Sequence, residues 1–283
     1  MTVERPVTIG FGPTTIAVHT DDEALHALIA ETFRWMPGHA AAGAAGAALR
    51  VRWDGAAWCC TEDGAPAEER RHSRRLALRW VRQRTLECII AATPDLLWLH
   101  GAAAGLGAHA LVLPGRRGQG KSSLVTALRA HGARFLTDDM LPLDPAAWCV
   151  RPFPRTPEVR RDPGAEQPAS WLLDVEKVVV DAGGWLAATP LPIGAVLLPA
   201  ATRGAATALE PVRASEAVLA LAEGCWNYAD HGARAAAALA RLVREVPAAR
   251  LIFSDADDAA AVASDWFARV RPAPASPPPP SAV

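Results

Sequence analysis

Lysine is scarce in this sequence of 283 residues, because lysine and arginine together number 29 but only Lys121 and Lys177 are lysine. Arginine therefore supplies nearly all of the positive charge. The two side chains are not equivalent on a phosphate, since a compact ammonium fits a crowded loop that a planar guanidinium does not. A lysine at position 121 of an arginine-rich chain therefore indicates a site that requires a compact ammonium group.

The chain also lacks a large net charge and long apolar runs. A formal net charge of −1 gives no electrostatic reason to expect nucleic acid or an anionic membrane as a partner. No run reaches the ~18 apolar residues of a membrane span, and residues 1–11 carry Glu4, Arg5 and Pro6 where a secretory signal would be apolar. We expect a soluble, cytoplasmic protein with no nucleic-acid and no membrane partner.

Cysteine provides no disulfide or metal framework. The five cysteines form no C-x-x-C pair and no metal-ligand spacing, and the adjacent Cys59 and Cys60 are interpreted as incidental. An odd number of cysteines without a pattern fits a reducing compartment.

Hydrophobic residues make up 51% of the chain and charged residues 21%, the balance of a core-forming globular protein.

Arginine is concentrated between residues 70 and 84. The arginine concentration predicts the solvated face of a helix in preference to a functional patch. Its members are Arg70, Arg71, Arg74, Arg75, Arg79, Arg82 and Arg84.

A phosphate-binding loop is the strongest motif in the chain. Residues 111–113 read as a buried strand, and the pattern G-x-x-x-x-G-K-S follows at residues 115–122. Residues 124–131 have helical spacing, and Gly132 stands where a helix C-cap falls. Strand, loop and helix occur in the order that the motif requires, so we expect the chain to bind a nucleotide.

Each part of this loop has a chemical role. Glycines let successive backbone N–H groups face a polyphosphate, and the helix N-terminus adds partial positive charge. Lys121 would reach the β- and γ-phosphates of ATP, and the Ser122 hydroxyl would bind Mg²⁺. The predicted nucleotide-binding residues are Gly115, Arg116, Arg117, Gly118, Gln119, Gly120, Lys121, Ser122 and Ser123.

Two carboxylates and a histidine are expected beside the loop. Asp138 and Asp139 end a strand predicted at residues 134–137, at the edge where open α/β sheets bind ligands. One can hold Mg²⁺ and the other can accept the proton of an attacking hydroxyl, and their division of roles stays open. His100 ends a strand expected beside the P-loop strand, either as a catalytic or as a structural residue. The predicted catalytic residues are Asp138, Asp139, His100 and Lys121, and the predicted metal ligands are Ser122, Asp138 and Asp139.

Periodicity predicts an α/β core preceded by a small α+β unit. We assign residues 1–70 to the N-terminal unit, 71–270 to the core and the proline-rich residues 271–283 to a disordered tail. In the N-terminal unit, strands are predicted at 14–20 and 50–60, a helix at 25–36 capped by Asp21 or Asp22, and an alanine–glycine loop at 38–49. In the core, helices are predicted at 74–92, 215–223 (capped by Ser215), 233–246 and 257–270, strands at 96–99, 177–180, 193–198 and 250–253, and an active-site loop at 151–157.

Three stretches of the core carry a resemblance to a known family. They are Leu-His-Gly-Ala-Ala at 99–103, Gly-x-x-Gly-x-Gly-Lys-Ser-Ser at 115–123 and Ala-Arg-Phe-Leu-Thr-Asp-Asp at 133–139. Together they resemble the catalytic domain of HPr kinase/phosphorylase, and more closely the HPr-kinase-like proteins of bacterial peptide natural-product clusters, such as lasso-peptide precursor kinases. The resemblance implies a P-loop kinase core of the HPr kinase/phosphoenolpyruvate carboxykinase type that transfers the γ-phosphate of ATP to a serine hydroxyl.

The sequence also departs from that family. Arg117 stands where the family usually has a small residue, and Arg116 or Arg117 could add charge at the γ-phosphate. The glycine-rich C-terminal signature of true HPr kinase/phosphorylases is missing, so neither phosphorylase activity nor HPr as a substrate is expected. Glu158 and Glu176 are unsupported candidates for the downstream metal-associated glutamate of the family.

The sequence therefore predicts an ATP- and Mg²⁺-dependent serine kinase that acts on a peptide, such as a ribosomally synthesised natural-product precursor. The N-terminal unit offers a surface for that peptide, for example by β-strand addition. Two alternatives stay open, namely a nucleotide-dependent regulatory ATPase or switch and a kinase of a free small molecule. Whether the protein forms a homo-oligomer is also left open.

Overall fold

Two large β-sheets organise the computed structural model of the protein, which describes residues 5–38, 46–65, 67–160 and 177–271. The first sheet comes from the N-terminal residues and the second from the remainder. The mixed α/β class predicted from the sequence is confirmed. The predicted tail from residue 272 onward, and most of the predicted alanine–glycine loop, lie outside the described residues. None of the described helices is long and apolar enough to cross a lipid bilayer.

The N-terminal sheet has five strands in the order β1-β2-β3-β4-β5. Its elements are β1 (Val7–Phe11), β2 (Thr14–Thr20), helix α1 (Glu23–Thr32), β3 (Gly46–Trp53), β4 (Trp58–Glu62) and β5 (Glu69–Arg71). Strand β2 is confirmed, and Asp22 caps α1 by accepting a hydrogen bond from the Leu25 N–H (2.6 Å).

The single strand predicted at 50–60 is wrong, because β3 and β4 pair as an antiparallel hairpin. The Asp54 carboxylate accepts hydrogen bonds from the N–H groups of Ala56 (2.9 Å) and Ala57 (2.8 Å), which turns the chain. The predicted loop at 38–49 is also too long, since β3 already begins at Gly46.

Helix α2 spans Arg74–Ala92, as predicted. Ser73 is its N-cap, with the side-chain oxygen accepting a hydrogen bond from the Leu76 N–H (3.2 Å). The buried face of the helix, which includes Leu78 and Val81, belongs to the hydrophobic core of the N-terminal sheet. The helix therefore packs on the N-terminal unit, although the sequence grouped it with the core.

The second sheet has eight strands, and β10-β9-β6-β7-β13-β15-β14 is the order of pairing, with β8 also paired to β6. Its strands are β6 (Leu97–Leu106), β7 (His109–Pro114), β8 (Arg134–Thr137), β9 (Met140–Asp144), β10 (Cys149–Val150), β13 (Leu191–Ala201), β14 (Ala208–Pro211) and β15 (Ala248–Phe253). Strands β11 (Glu158–Arg160) and β12 (Lys177–Val179) form a separate antiparallel pair.

Helices cover both faces of this sheet. They are α3 (Lys121–Ala127, continued by a 3-10 turn over Leu128–His131), α4 (Ala214–Glu223), α5 (Tyr228–His231), α6 (Ala233–Glu245) and α7 (Ala256–Val270). Along β7, Leu111 and Leu113 pack in the cluster that contains residues of α3 and α7, whereas Val112 packs with those of α4 and α6. This alternation places the two helix pairs on opposite faces. The residue before α4 is Arg213, so the predicted capping role of Ser215 is wrong.

Strand direction brings the candidate site residues to one edge of the sheet. Strand β6 runs antiparallel to both β7 and β8, so β7 and β8 are parallel to each other. The loop after β7 and the aspartates after β8 therefore lie at the same edge. The prediction that His100 ends its strand is wrong, because His100 lies early in β6. It reaches this edge because β6 runs in the opposite direction.

Candidate active site

The loop between β7 and α3 is rich in glycine and bends tightly. Gly115, Gly118 and Gly120 have φ angles of +145°, +91° and +88°, which side-chain-bearing residues rarely adopt. A Cβ on Gly120 would also lie 2.5 Å from the ring of Phe253. The loop ends at the N-terminus of α3, whose first backbone N–H groups are not used within the helix and favour an anion.

The Lys121 ammonium lies inside this loop. Its Nζ donates hydrogen bonds to the carbonyl oxygens of Gly115 and Arg116, each at 2.8 Å, and lies 3.2 Å from Nε2 of His100. The residue is only 6% exposed. Because an ammonium can only donate, the contact with His100 requires a lone pair on Nε2. The arrangement fixes the Lys121 charge where the phosphate groups of a nucleotide would lie.

Ser122 and Asp138 form the second part of the site. The Ser122 hydroxyl donates a hydrogen bond to Oδ1 of Asp138 (3.0 Å). Burial raises the pKa of the Asp138 carboxyl, and the hydrogen bond from Ser122 opposes that shift without reversing it. A buried carboxylate beside a hydroxyl is a pair of hard oxygen donors of the kind that Mg²⁺ prefers.

A break in the strand separates the two aspartates. Strands β8 and β9 both pair antiparallel with β6, and Asp138 and Asp139 interrupt what would otherwise be one long strand. Asp139 has a φ angle of +75°, a left-handed conformation that aspartate tolerates better than most residues. The Thr137 hydroxyl donates a hydrogen bond to the Met140 carbonyl across the break. The predicted strand end is therefore a kink, which turns the neighbouring carboxylates to different partners.

Asp139 is held between a histidine and an arginine. Its Oδ1 lies 3.2 Å from Nδ1 of His100, and its Oδ2 accepts a hydrogen bond from Arg155 at 2.7 Å. Burial by itself would raise the pKa of Asp139, but the hydrogen bond from His100 and the charge of Arg155 outweigh it and hold the pKa well below its ordinary value. The Asp139 carboxylate thus stays ionised at any physiological pH.

Arg155 reaches this position from the proline-rich segment. The Phe153 N–H donates to the Leu136 carbonyl (2.9 Å), and the Arg155 N–H donates to the Phe153 carbonyl (2.8 Å). Thr156 bonds to the end of α1 through its hydroxyl, which donates to the Glu31 carbonyl (2.6 Å). The segment therefore lies beside Asp139, although the Phe153 side chain is buried in the core of the N-terminal unit.

These groups line one cleft of about 730 Å³. Of the predicted site residues, Arg117, Gly118, Gly120, Lys121, Ser122, Ser123, His100, Asp138 and Asp139 line it. The remaining three, Gly115, Arg116 and Gln119, line a smaller cavity of about 210 Å³. Arg116 is turned away to an ion pair with Glu223 (3.0 Å), so of the two loop arginines only Arg117 faces the cleft.

Sequence reasoning missed one wall of the cleft. Arg75, Arg79 and Arg82, on helix α2, line it together with the P-loop. The sequence grouped them with the solvated arginines; Arg75 and Arg79 are exposed, as that interpretation expects, but the face that they form borders the cleft. Their spacing of four and three residues places them on one face of a helix and is the signal that could have separated them from their neighbours.

The described residues contain no preformed metal cage. Among these, no three His, Cys, Asp or Glu side chains form a group that could hold a metal ion by themselves. Mg²⁺ bound with a nucleotide needs fewer protein ligands, because phosphates and waters complete its coordination. Of the two candidate glutamates, Glu158 begins β11 and Glu176 lies outside the described residues.

The fold and the cleft define a mixed α/β protein with a glycine-rich loop, a buried lysine and paired aspartates at one sheet edge. No family model matches the chain, and no curated protein sequence matches it.

Proposed function

We propose that the protein is an ATP- and Mg²⁺-dependent phosphotransferase of the P-loop kinase type that phosphorylates a serine hydroxyl on a peptide. One observation carries the proposal: Lys121, the Ser122–Asp138 pair and the Asp139–His100 pair border a single cleft. The sequence resemblance to HPr-kinase-like proteins supports the same class of reaction.

The two aspartates have environments suited to different tasks. Asp138, buried and bonded to Ser122, would hold Mg²⁺ with that hydroxyl. When bound, Mg²⁺ neutralises charge that develops on the phosphate oxygens. Asp139, whose side chain is 47% exposed, would receive the acceptor hydroxyl. This assignment divides the roles that the sequence left open.

The reaction requires little covalent chemistry from the protein. The acceptor oxygen forms a bond to the γ-phosphorus, the bond from that phosphorus to the bridging oxygen breaks, and ADP leaves. The hydroxyl proton passes to the Asp139 carboxylate and from there to solvent. A carboxylate of low pKa is a weak base, so Asp139 acts mainly by orienting the hydroxyl. His100 and Arg155 position that carboxylate, and Lys121 stabilises the phosphate charge.

Transfer of label from γ-³²P-ATP tests the proposal. The full-length protein is incubated with Mg²⁺ and serine-containing peptides, including any peptide encoded beside its gene. We expect label on serine that disappears in the Lys121→Ala variant. An otherwise identical peptide with alanine in place of serine is the matched control and should remain unlabelled.

The alternatives predict different products in the same experiment. ADP release without a labelled peptide would favour a regulatory ATPase or switch. Label on a small metabolite, detected by mass spectrometry, would favour a small-molecule kinase. ATP binding with neither product would contradict phosphoryl transfer altogether.

A further inference from the structure

Helix α2 presents a row of arginines to the cleft. Arg75, Arg79 and Arg82 occur at spacings that place them on one helix face, and all three border the cleft that contains Lys121 and Asp139. Helix α2 packs on the N-terminal sheet, whereas the P-loop belongs to the second sheet. The row is therefore the contribution of the N-terminal unit to the cleft.

The arginines of this region differ in their partners. Arg74 pairs with Asp22 at 2.7 Å, and Arg84 pairs with Glu87 at 2.6 Å. Arg75 and Arg79, both exposed, make no hydrogen bond or ion pair with any residue in the part of the chain that the structure describes. Acids of the N-terminal unit thus neutralise the arginines that point elsewhere, while those two cleft arginines are available to a ligand.

The length of the row indicates what kind of ligand it fits. Seven residues of helix separate Arg75 from Arg82, a distance of about 10 Å at 1.5 Å per residue. A row of this length can contact several anionic groups of one ligand at the same time. An extended peptide covers the same distance with roughly three residues, so acidic side chains along it match the row.

The composition of the cleft favours a peptide over a nucleic acid. Six cationic side chains line it (Arg75, Arg79, Arg82, Arg117, Lys121 and Arg155), together with two carboxylates. No Trp, Tyr or Phe on which bases could stack occurs among its described lining residues. Leu76, which is 40% exposed, lies in the same wall and offers an apolar contact.

We propose that the phosphate acceptor is an acidic peptide segment, and that its acidic side chains bind Arg75, Arg79 and Arg82 while an apolar side chain contacts Leu76. That this peptide is the phosphate acceptor rests on the proposed function, whereas its binding to the arginine row does not. The Asp139 carboxylate borders the same cleft, so a serine flanked by acidic residues would lie between the arginine row and the P-loop.

Fluorescence anisotropy of labelled peptides, without nucleotide, tests the binding. The probes are a serine peptide with aspartate and glutamate on both sides and its counterpart with asparagine and glutamine at those positions. We expect the acidic peptide to bind more tightly than its neutral counterpart, and we expect added salt to weaken that binding. The Arg75→Gln/Arg79→Gln variant should bind the acidic peptide roughly tenfold more weakly than the native protein does. Arg234→Gln, an exposed arginine on α6 outside the cleft, is the matched control and should bind like the native protein.

Three outcomes would overturn the proposal. The first is equal binding of both peptides, and the second is equal binding of the acidic peptide to the native and double-variant proteins. The third is that a single-stranded oligonucleotide binds the arginine row as tightly as the acidic peptide does.

A separate measurement of ATP binding distinguishes the row from the nucleotide site. We expect calorimetry to give the same ATP affinity for the native and double-variant proteins, and a large loss in the variant would assign the row to the nucleotide and overturn the proposal. If the acidic peptide binds through the row but is never phosphorylated, the inference about binding stands and the proposed function fails.

Discussion

The carboxylates of Asp138 and Asp139, adjacent in the chain, contact different partners: Asp138 accepts from Ser122 at 3.0 Å, and Asp139 lies between His100 and Arg155. The left-handed backbone of Asp139 produces this divergence. Burial raises the pKa of the Asp138 carboxyl, whereas at Asp139 the hydrogen bond from His100 and the charge of Arg155 outweigh burial and lower the pKa. Their contributions to stability must therefore differ in sign as well.

Asparagine at each position should reveal that difference. The raised pKa of Asp138 means that its contribution to stability is complete below the pKa of the unfolded chain, about 3.9, and is lost as the pH rises through the folded-state pKa. At neutral pH the buried carboxylate is unfavourable, so Asp138→Asn should raise the Tm of the ligand-free protein by roughly 2–4 °C. Thermal unfolding at pH 7 measures this shift.

For Asp139 the sign is reversed. Its lowered pKa means that it contributes stability above about pH 4, and that the contribution is lost as the pH falls toward the folded-state pKa. Asp139→Asn should lower the Tm at pH 7 by roughly 2–4 °C, because Arg155 loses this ion pair. Shifts of the same sign in the two variants would refute the environments described for the pair.

Ser122 should be exchangeable for threonine but not for alanine. Both serine and threonine supply a hydroxyl at this position of a phosphate-binding loop, whereas alanine removes a Mg²⁺ ligand. We expect Mg²⁺ to enhance the stabilisation of the native and Ser122→Thr proteins by ATP, and EDTA to remove that enhancement. In Ser122→Ala the effect of Mg²⁺ should be much smaller, and an undiminished effect would exclude Ser122 as a ligand. Thermal shift with ATP, with and without Mg²⁺, measures this.

His100 should act by positioning Asp139. Asparagine can place an amide N–H near the position of Nδ1, so His100→Asn should keep more activity than His100→Ala, which we expect to lower kcat by about tenfold to a hundredfold. Because Lys121 keeps its hydrogen bonds to the carbonyl oxygens of Gly115 and Arg116 without the histidine, ATP affinity should change little in either variant. Steady-state kinetics with calorimetric ATP titration separates the two quantities, and equal kcat values for all three proteins would argue for a structural histidine.

The Phe153 side chain should stabilise the core of the N-terminal unit close to the site. Its ring lies 5.3 Å from the rings of both Phe11 and Trp98, and it precedes Arg155 by two residues. Phe153→Ala should lower the free energy of unfolding by about 3–5 kcal/mol, while Phe153→Leu, which keeps an apolar side chain, should lower it less. Denaturant unfolding measures the change. A loss below about 1 kcal/mol in the alanine variant would contradict the packing described.

Local signals in the sequence were sufficient for much of the fold. The alternation of β2, the capped helix α2 and the glycine-rich turn into α3 are all set by neighbouring residues, and they were predicted close to their observed bounds. The hairpin of β3 and β4 was missed because one aspartate side chain, that of Asp54, creates its turn.

The parts of the cleft that depend on distant contacts were harder to predict. That His100 and Asp139 meet follows from the antiparallel pairing of β6 with β9, in which His100 lies opposite Met140, and no local pattern specifies that pairing. The kink at Asp139 and the packing of α2 on the N-terminal sheet are likewise tertiary features. The arginine row could therefore be recognised as one helix face, but its place in the cleft could not.

Calorimetric titration of ATP into the protein, in the presence of Mg²⁺, measures whether the glycine-rich loop binds the nucleotide. We expect Mg²⁺-dependent binding by the native protein and its loss in Lys121→Ala, with Lys121→Arg failing to restore it because a planar guanidinium does not fit the loop. The Arg234→Gln protein should bind ATP like the native one. Failure of the native protein to bind ATP, or equal ATP affinity in Lys121→Ala, would exclude this loop as the nucleotide site.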